Sequence, residues 1–140
     1  MVTNAPDIAL LLLGRDGIEV SLVGGRLEPR AAAVLGAQAL ESLAAYRFDI
    51  CFAGTCAIDA DGNAWAVEAE EAAFKRALLR CADRLVVVAS TEKLGAVAAH
   101  RIARHDQVDL LVVEADAPAA MLERLRQRGL DIVHGAPVLP

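Results

Sequence analysis

Short apolar runs that stop at glycine or a small polar residue, each followed by a helical pattern, recur along this chain. That alternation restricts the fold to an α/β arrangement around a mainly parallel sheet. The clearest instance is the stretch from Phe48 to Arg76. Phe48, Ile50, Cys51, Phe52 and Ala53 form an apolar run that ends at Gly54-Thr55. A polar loop with Asp59, Asp61, Gly62 and Asn63 follows, and a helix then opens with Glu68, Glu70 and Glu71. In open α/β sheets small ligands bind at the carboxyl ends of strands, so this is the first place to look for a site.

The rest of the chain keeps the same rhythm. Met1 to Asn4 reads as a short strand end, and Asn4-Ala5-Pro6 as a helix start, with Asn as N-cap and Pro in the first turn. That helix is expected to reach Leu13 and stop at Gly14. Ile18 to Val23 reads as a strand ending in Gly24-Gly25, and Arg26 to Arg30 as loop. Ala32 to Tyr46 has the composition of a helix, with Leu35, Leu40 and Leu43 spaced for one buried side. Glu70 to Ala82 is a second strong helix, on which Phe74, Ala77, Leu78 and Cys81 form an apolar stripe. Leu85 to Ala89, Leu110 to Val113 and Asp131 to His134 read as strands, and Pro118 to Arg128 as a helix before a Pro-rich tail. Between Thr91 and Asp106 two readings stand, a helix or an extended segment over Ala98 to Ala103.

Size and charge narrow the function classes. At 140 residues the chain is read as a single domain, residues 1–140, long enough to bury roughly two-thirds of the surface it exposes when unfolded. The first apolar run, Ile8 to Leu13, is far short of the roughly 20 residues of a membrane span, so a cytoplasmic protein without a membrane partner is expected. Cys51, Cys56 and Cys81 form no disulfide framework, and His100, His105 and His134 are scattered, so neither a metal nor another cofactor is expected. Nineteen acids against 14 bases give a formal charge of −5, which argues against this piece gripping nucleic acid by itself. The densest basic group, Arg124, Arg126 and Arg128, reads as a solvated helix face.

Several residues are candidates for chemistry, each with a plainer reading. Gly24-Gly25 allows close approach of a ligand to backbone, or is a simple turn. Gly54-Thr55 offers backbone N–H groups and a hydroxyl at a strand end. Glu71 and Lys75 stand four apart on a helix, the spacing of an exposed ion pair worth about 0.2–0.5 kcal/mol. Lys93 follows the Leu85–Ala89 run by four residues, where an ammonium can neutralise a phosphate, yet surface lysines are common. Cys56 reads as inert, and Trp65 as a packing residue rather than a pocket cover.

The strings FDICFAGTCAIDADG, EEAAFKRALL, ADRLVVVASTEKLG and VDLLVVEADAP, in this order, resemble the effector-sensing domain of DeoR-type bacterial transcriptional regulators. Val2-Thr3-Asn4 and Leu22-Val23-Gly24-Gly25 fit the same pattern, so the likeness covers nearly the whole chain. The resemblance implies a Rossmann-like sheet flanked by helices, related to ribose-5-phosphate isomerases and coenzyme A transferases. It implies a domain that binds a phosphorylated sugar or related metabolite and alters the DNA binding of an N-terminal winged helix-turn-helix. Carried over by position, Asn4, Gly54, Thr55, Glu71, Lys75 and Lys93 are the ligand-binding residues it implies, and it favours the extended reading of Ala98 to Ala103.

The chain also departs from the family pattern. The second loop glycine is Ala57, the acid that often precedes it is Cys56, the threonine pair after the loop is Trp65-Ala66, and the aspartate before the Ser-x-Lys stretch is Ser90. The DNA-binding module and the family's first strand, with its phosphate loop, have no counterpart among these residues, so a fragment or truncated relative is expected. A sheet lacking a strand exposes an edge, from which a homo-oligomer is expected. The runner-up reading is a sugar-phosphate isomerase, with Glu71 as base and Lys93 steadying an enediolate. Replacement of the loop acid by Cys56-Ala57 favours the non-enzymatic sensor.

Overall fold

A computed structural model describes residues 1–135, and the Pro-rich tail expected at 136–140 lies outside the described residues. The chain divides into two compact units, Met1–Arg47 and the remainder from Phe48.

In the first unit, β1 (Val2–Thr3) runs parallel to β2 (Ser21–Leu22), with α1 (Pro6–Leu12) between them in sequence. Pro occupies the first turn of α1 as expected, but the N-cap is Ala5, without a side-chain cap. Asn4 is occupied elsewhere: its side-chain amide donates to the Val34 carbonyl at 3.1 Å, and its own carbonyl accepts from the Val34 N–H at 2.7 Å. The segment expected to be loop is instead β3 (Arg26–Glu28), antiparallel to β4 (Ala33–Leu35). The long helix expected from Ala32 shrinks to α2 (Ala37–Leu43), so Leu35 is buried from a strand and Leu43 from the helix. The backbone explains the break, because Ala32 and Gly36 both adopt positive φ, 48° and 97°. Gly25 serves the protein's own packing. A Cβ there would lie 3.0 Å from Val34 Cγ1, at a φ of +144°.

The second unit is built on four parallel strands in the order β11-β10-β8-β5: β5 (Cys51–Gly54), β8 (Leu85–Ala89), β10 (Leu110–Val113) and β11 (Ile132–His134). Between β5 and β8 the chain forms a hairpin of β6 (Ala57–Ile58) and β7 (Ala64–Ala66), then α3 (Ala69–Cys81). The ambiguous Thr91–Asp106 region is extended where it matters, with β9 (His100–Ala103) joining β7 antiparallel. α4 (Ala119–Gln127) links β10 to β11. One face of the sheet carries Cys51, Ala53, Leu85, Val87, Ala89, Leu111 and Val113. These pack in one core with Ala72 of α3, Leu122 and Leu125 of α4, and Ile58, Ala66 and Ile102 of the small sheet. On the alternate positions Phe52, Val88 and Val133 are exposed. Among the described residues no helix is long and apolar enough to cross a membrane, and no group of three His, Cys, Asp or Glu side chains is placed to hold a metal ion.

Asp59 organises the β6–β7 hairpin. Its carboxylate accepts from the Asp61 and Asn63 N–H groups, the Asn63 amide and the Trp65 indole, each at 2.9 Å. Asn63 Oδ1 then accepts from the His105 N–H at 3.1 Å, joining the hairpin to the turn after β9. Burial pushes the Asp59 pKa up, but the hydrogen bonds from Asn63, Trp65 and Asp61 outweigh it and hold the carboxyl below its ordinary value. The lowered value means that the fold favours the charged form. Its contribution is therefore present above the ordinary aspartate pKa of 3.8 and is lost as pH falls through the lower folded value. Asp59→Ala should cost about 2–3 kcal/mol in urea unfolding at neutral pH, and the gap to the unsubstituted chain should narrow in acid. Gly62 closes the hairpin at a φ of +89°, where a Cβ would lie 2.7 Å from Leu130 Cδ1. Gly62→Ala should destabilise by about 1–3 kcal/mol in the same measurement.

Candidate functional site

Because β5 and β8 are hydrogen-bonded neighbours, with Gly54 opposite Val88, their carboxyl ends lie side by side. Gly54 is exposed, and a Cβ on it would meet nothing within 4 Å, so the strand end is open at that point. Past β8 the chain makes a 3-10 turn, Thr91–Lys93. Two ties fix this turn. The Thr91 N–H donates to Glu114 Oε2 at 2.7 Å and the Thr91 hydroxyl to Asp116 Oδ1 at 2.6 Å, both just beyond β10. On the other side the Gly95 N–H donates to the Ile58 carbonyl at 2.7 Å, and Leu94 bridges to Ile58. The segment after β8 is thereby stitched to the one after β5. Lys93 lies in that segment, partly buried, with its ammonium free of any ion pair or hydrogen bond among the described residues.

Thr55 is nearly fully buried, and its hydroxyl is engaged by the hairpin. It faces the carbonyls of Ala57 and Trp65, each at 2.9 Å, and accepts from the Trp65 N–H at 3.3 Å. The side chain therefore locks the strand end to the hairpin. Trp65 is half-buried with its indole bound to Asp59, in line with a packing role.

Glu71 sits in the first turn of α3, where the helix dipole favours a carboxylate. It pairs with Lys75 as the i, i+4 spacing predicts, but the pair is not on open surface: the two side chains are only 17% and 16% exposed. Cys56 Sγ lies 3.8 Å from Glu71 Oε2, so the pair faces the loop that leaves β5. Nearby Cys51 is held protonated. Burial pushes its thiol pKa up to about 11, opposed in part by the positive charge of Lys75. Cys51, Cys56 and Cys81 form no disulfide among the described residues.

The second unit thus brings Gly54 and Lys93 to adjoining strand ends, and sets Glu71 and Lys75 against the loop after β5. Asn4 belongs to the first unit, where it clips β4. Sequence reasoning missed Glu114 and Asp116, the carboxylates that hold the Lys93 turn. Their signal was position, immediately beyond the apolar run of β10.

Residues 1–115 match the family described as the DeoR C terminal sensor domain. The chain is 32% identical over 132 residues to a putative aga operon transcriptional repressor of Escherichia coli O157:H7, covering 94% of this chain and 49% of that protein. It is 31% identical over 134 residues to the HTH-type transcriptional regulator GlpR of Haloferax volcanii, covering 96% and 52%. Against the glycerol-3-phosphate regulon repressor of Escherichia coli K12 it is 24% identical over 132 residues, covering 94% and 52%. The chain therefore spans about half the length of these relatives, all of them transcriptional regulators. From the sensor-domain match across most of its residues, the chain belongs to the DeoR family.

Proposed function

We propose that this chain senses a phosphorylated sugar or sugar-derived metabolite and so controls the hold on DNA of a winged helix-turn-helix carried by the whole regulator. The observation that carries the reading is the sensor-domain match over 1–115, which includes Asn4, Gly54, Thr55, Glu71, Lys75 and Lys93. In this reading Lys93 meets the phosphate, since its ammonium is the cation at the sheet edge without a carboxylate to displace. The Gly54 backbone lines the strand end, and Glu71, oriented by Lys75, accepts from ligand hydroxyls. Thr55 contributes through the geometry of its backbone, its hydroxyl being held by the hairpin. Asn4 stands in the proposal on the family pattern.

The domain acts without catalysis. An isomerase needs a carboxylate free to take a proton between adjacent carbons. Glu71 is tied to Lys75, and Cys56-Ala57 stand where the loop acid would be. The regulatory effect equals the difference in ligand affinity between the two conformers or oligomers that the ligand distinguishes. Self-association is part of the proposal, because β5 is an end strand of the four-stranded sheet, the position at which a second copy can pair.

Calorimetric titration with a panel of sugar phosphates that includes glycerol 3-phosphate tests the reading. One member should bind, and Lys93→Ala should weaken it by about 1.5–3 kcal/mol, the value of a hydrogen bond to a charged group. Unchanged affinity in that variant removes Lys93 from the site, and turnover of the bound sugar phosphate to its isomer would replace the sensor with an enzyme.

A further inference from the structure

A cavity of about 390 Å³ opens between α3 and β9 and shares no residue with the cluster at the sheet edge. Its volume falls within the roughly 300–1,000 Å³ of small-molecule pockets. Arg76 and Arg80 line it from α3, Arg101 and Arg104 from β9 and the residue after it, and Gln107 from the turn beyond. Leu79 and Ile102 supply its apolar part.

The charges around this cavity are unbalanced. Arg104 forms a bidentate pair with Asp106, at 2.8 and 2.7 Å. Arg76, Arg80 and Arg101 have no carboxylate partner among the described residues, in a chain whose acids outnumber its bases. Two of the three are nevertheless held in place. Arg76 Nη1 donates to the Arg101 carbonyl at 2.7 Å, and Arg80 Nη1 to the Arg76 carbonyl at 3.2 Å. Each bond uses one of five guanidinium donors and leaves the others available. Fixed, unneutralised guanidiniums around a concave surface are the arrangement that phosphoryl oxygens match, two at a time.

We infer that this cavity is a second anion site, which takes a small phosphorylated ligand independently of the site at the sheet edge. A nucleic-acid backbone fits it less well. A duplex needs cations spread along a convex or grooved face, whereas these line a single hollow on an acidic chain.

Sodium pyrophosphate is the probe, titrated calorimetrically at low salt into the 140-residue chain and into Arg80→Gln, Arg101→Gln, Arg104→Gln and Lys93→Ala. The expected result is binding that weakens by about tenfold to a hundredfold in Arg80→Gln and in Arg101→Gln, the fold-change equivalent of one charge-assisted bond. Arg104→Gln should weaken it less, because Asp106 already neutralises that side chain. Pyrophosphate can also meet Lys93 at the proposed effector site, so Lys93→Ala should remove only a component that the arginine variants retain and leave the arginine-dependent component in place, which separates the two sites. Arg80 is exposed on a helix, so its variant keeps the test valid if Arg101→Gln does not fold. Absence of binding at millimolar pyrophosphate, equal affinity in the arginine variants, or loss of binding in Lys93→Ala alone would overturn the inference. So would a DNA duplex of arbitrary sequence that binds more tightly than pyrophosphate and depends on the same arginines.

Discussion

Everything in the larger unit depends on one buried face of the parallel sheet. Alternate residues of β5, β8 and β10 point into a single core, and the strands progress in space in the order they occur in sequence. That register carries Gly54 and Ala89 to the same end of the sheet. A slip of one residue would turn Cys51 and Ala53 outward and bring Phe52 in, reversing which side chains the helices cover. Placement of the candidate site is therefore a consequence of how the apolar core packs.

Packing brings strand ends together, but hydrogen bonds decide how firmly the loops beyond them are held. The turn containing Lys93 is fastened on one side by Thr91 to Glu114 and Asp116, and on the other by Gly95 to Ile58. The loop after β5 is fastened by the Thr55 hydroxyl and, at its far end, by the Asp59 hub. Of the polar candidates, Thr55 is held by the scaffold, whereas the Lys93 ammonium has no partner among the described residues. Thr55 and Asp59 stabilise the frame, while Lys93 remains available within it.

Strands with β-branched runs were legible from sequence. Leu85–Ala89 and Leu110–Val113 have the expected bounds, and α3 lies within a residue of them at either end. The hairpins were not legible. Ala57-Ile58 and Ala64-Trp65-Ala66 are too short to show a period, and the Asp and Gly residues between them mark a turn without revealing its flanking strands. Arg26-Leu27-Glu28 carries two charges and precedes Pro29, so it reads as loop although Val34 and Leu35 opposite it are buried. The Ala-rich stretch from Ala32 has the propensity of a helix. Tertiary pairing with β3 overrode that preference, at a point where Gly36 permits the change of direction. For the site, sequence position alone identified Lys93 and Glu71 as candidates. Their difference in partners depends on packing that no local pattern encodes.

That difference bears on how an anion would enter. Lys75 already neutralises Glu71, and a phosphate drawing on Lys75 must leave a mostly buried carboxylate with a weaker partner, a change costing several kcal/mol when complete. A phosphate at Lys93 breaks no such pair and gains a charge-assisted bond outright. Binding energy would then come from the turn after β8, while Glu71 stays paired with Lys75. On the proposed reading, an anionic, hydroxylated ligand would meet at Lys93 a cation without a partner among the described residues, and at Glu71 a restrained acceptor. The same restraint would withhold Glu71 from proton transfer, so on the proposed reading an ion pair that favours recognition of a polyol would disfavour its isomerisation.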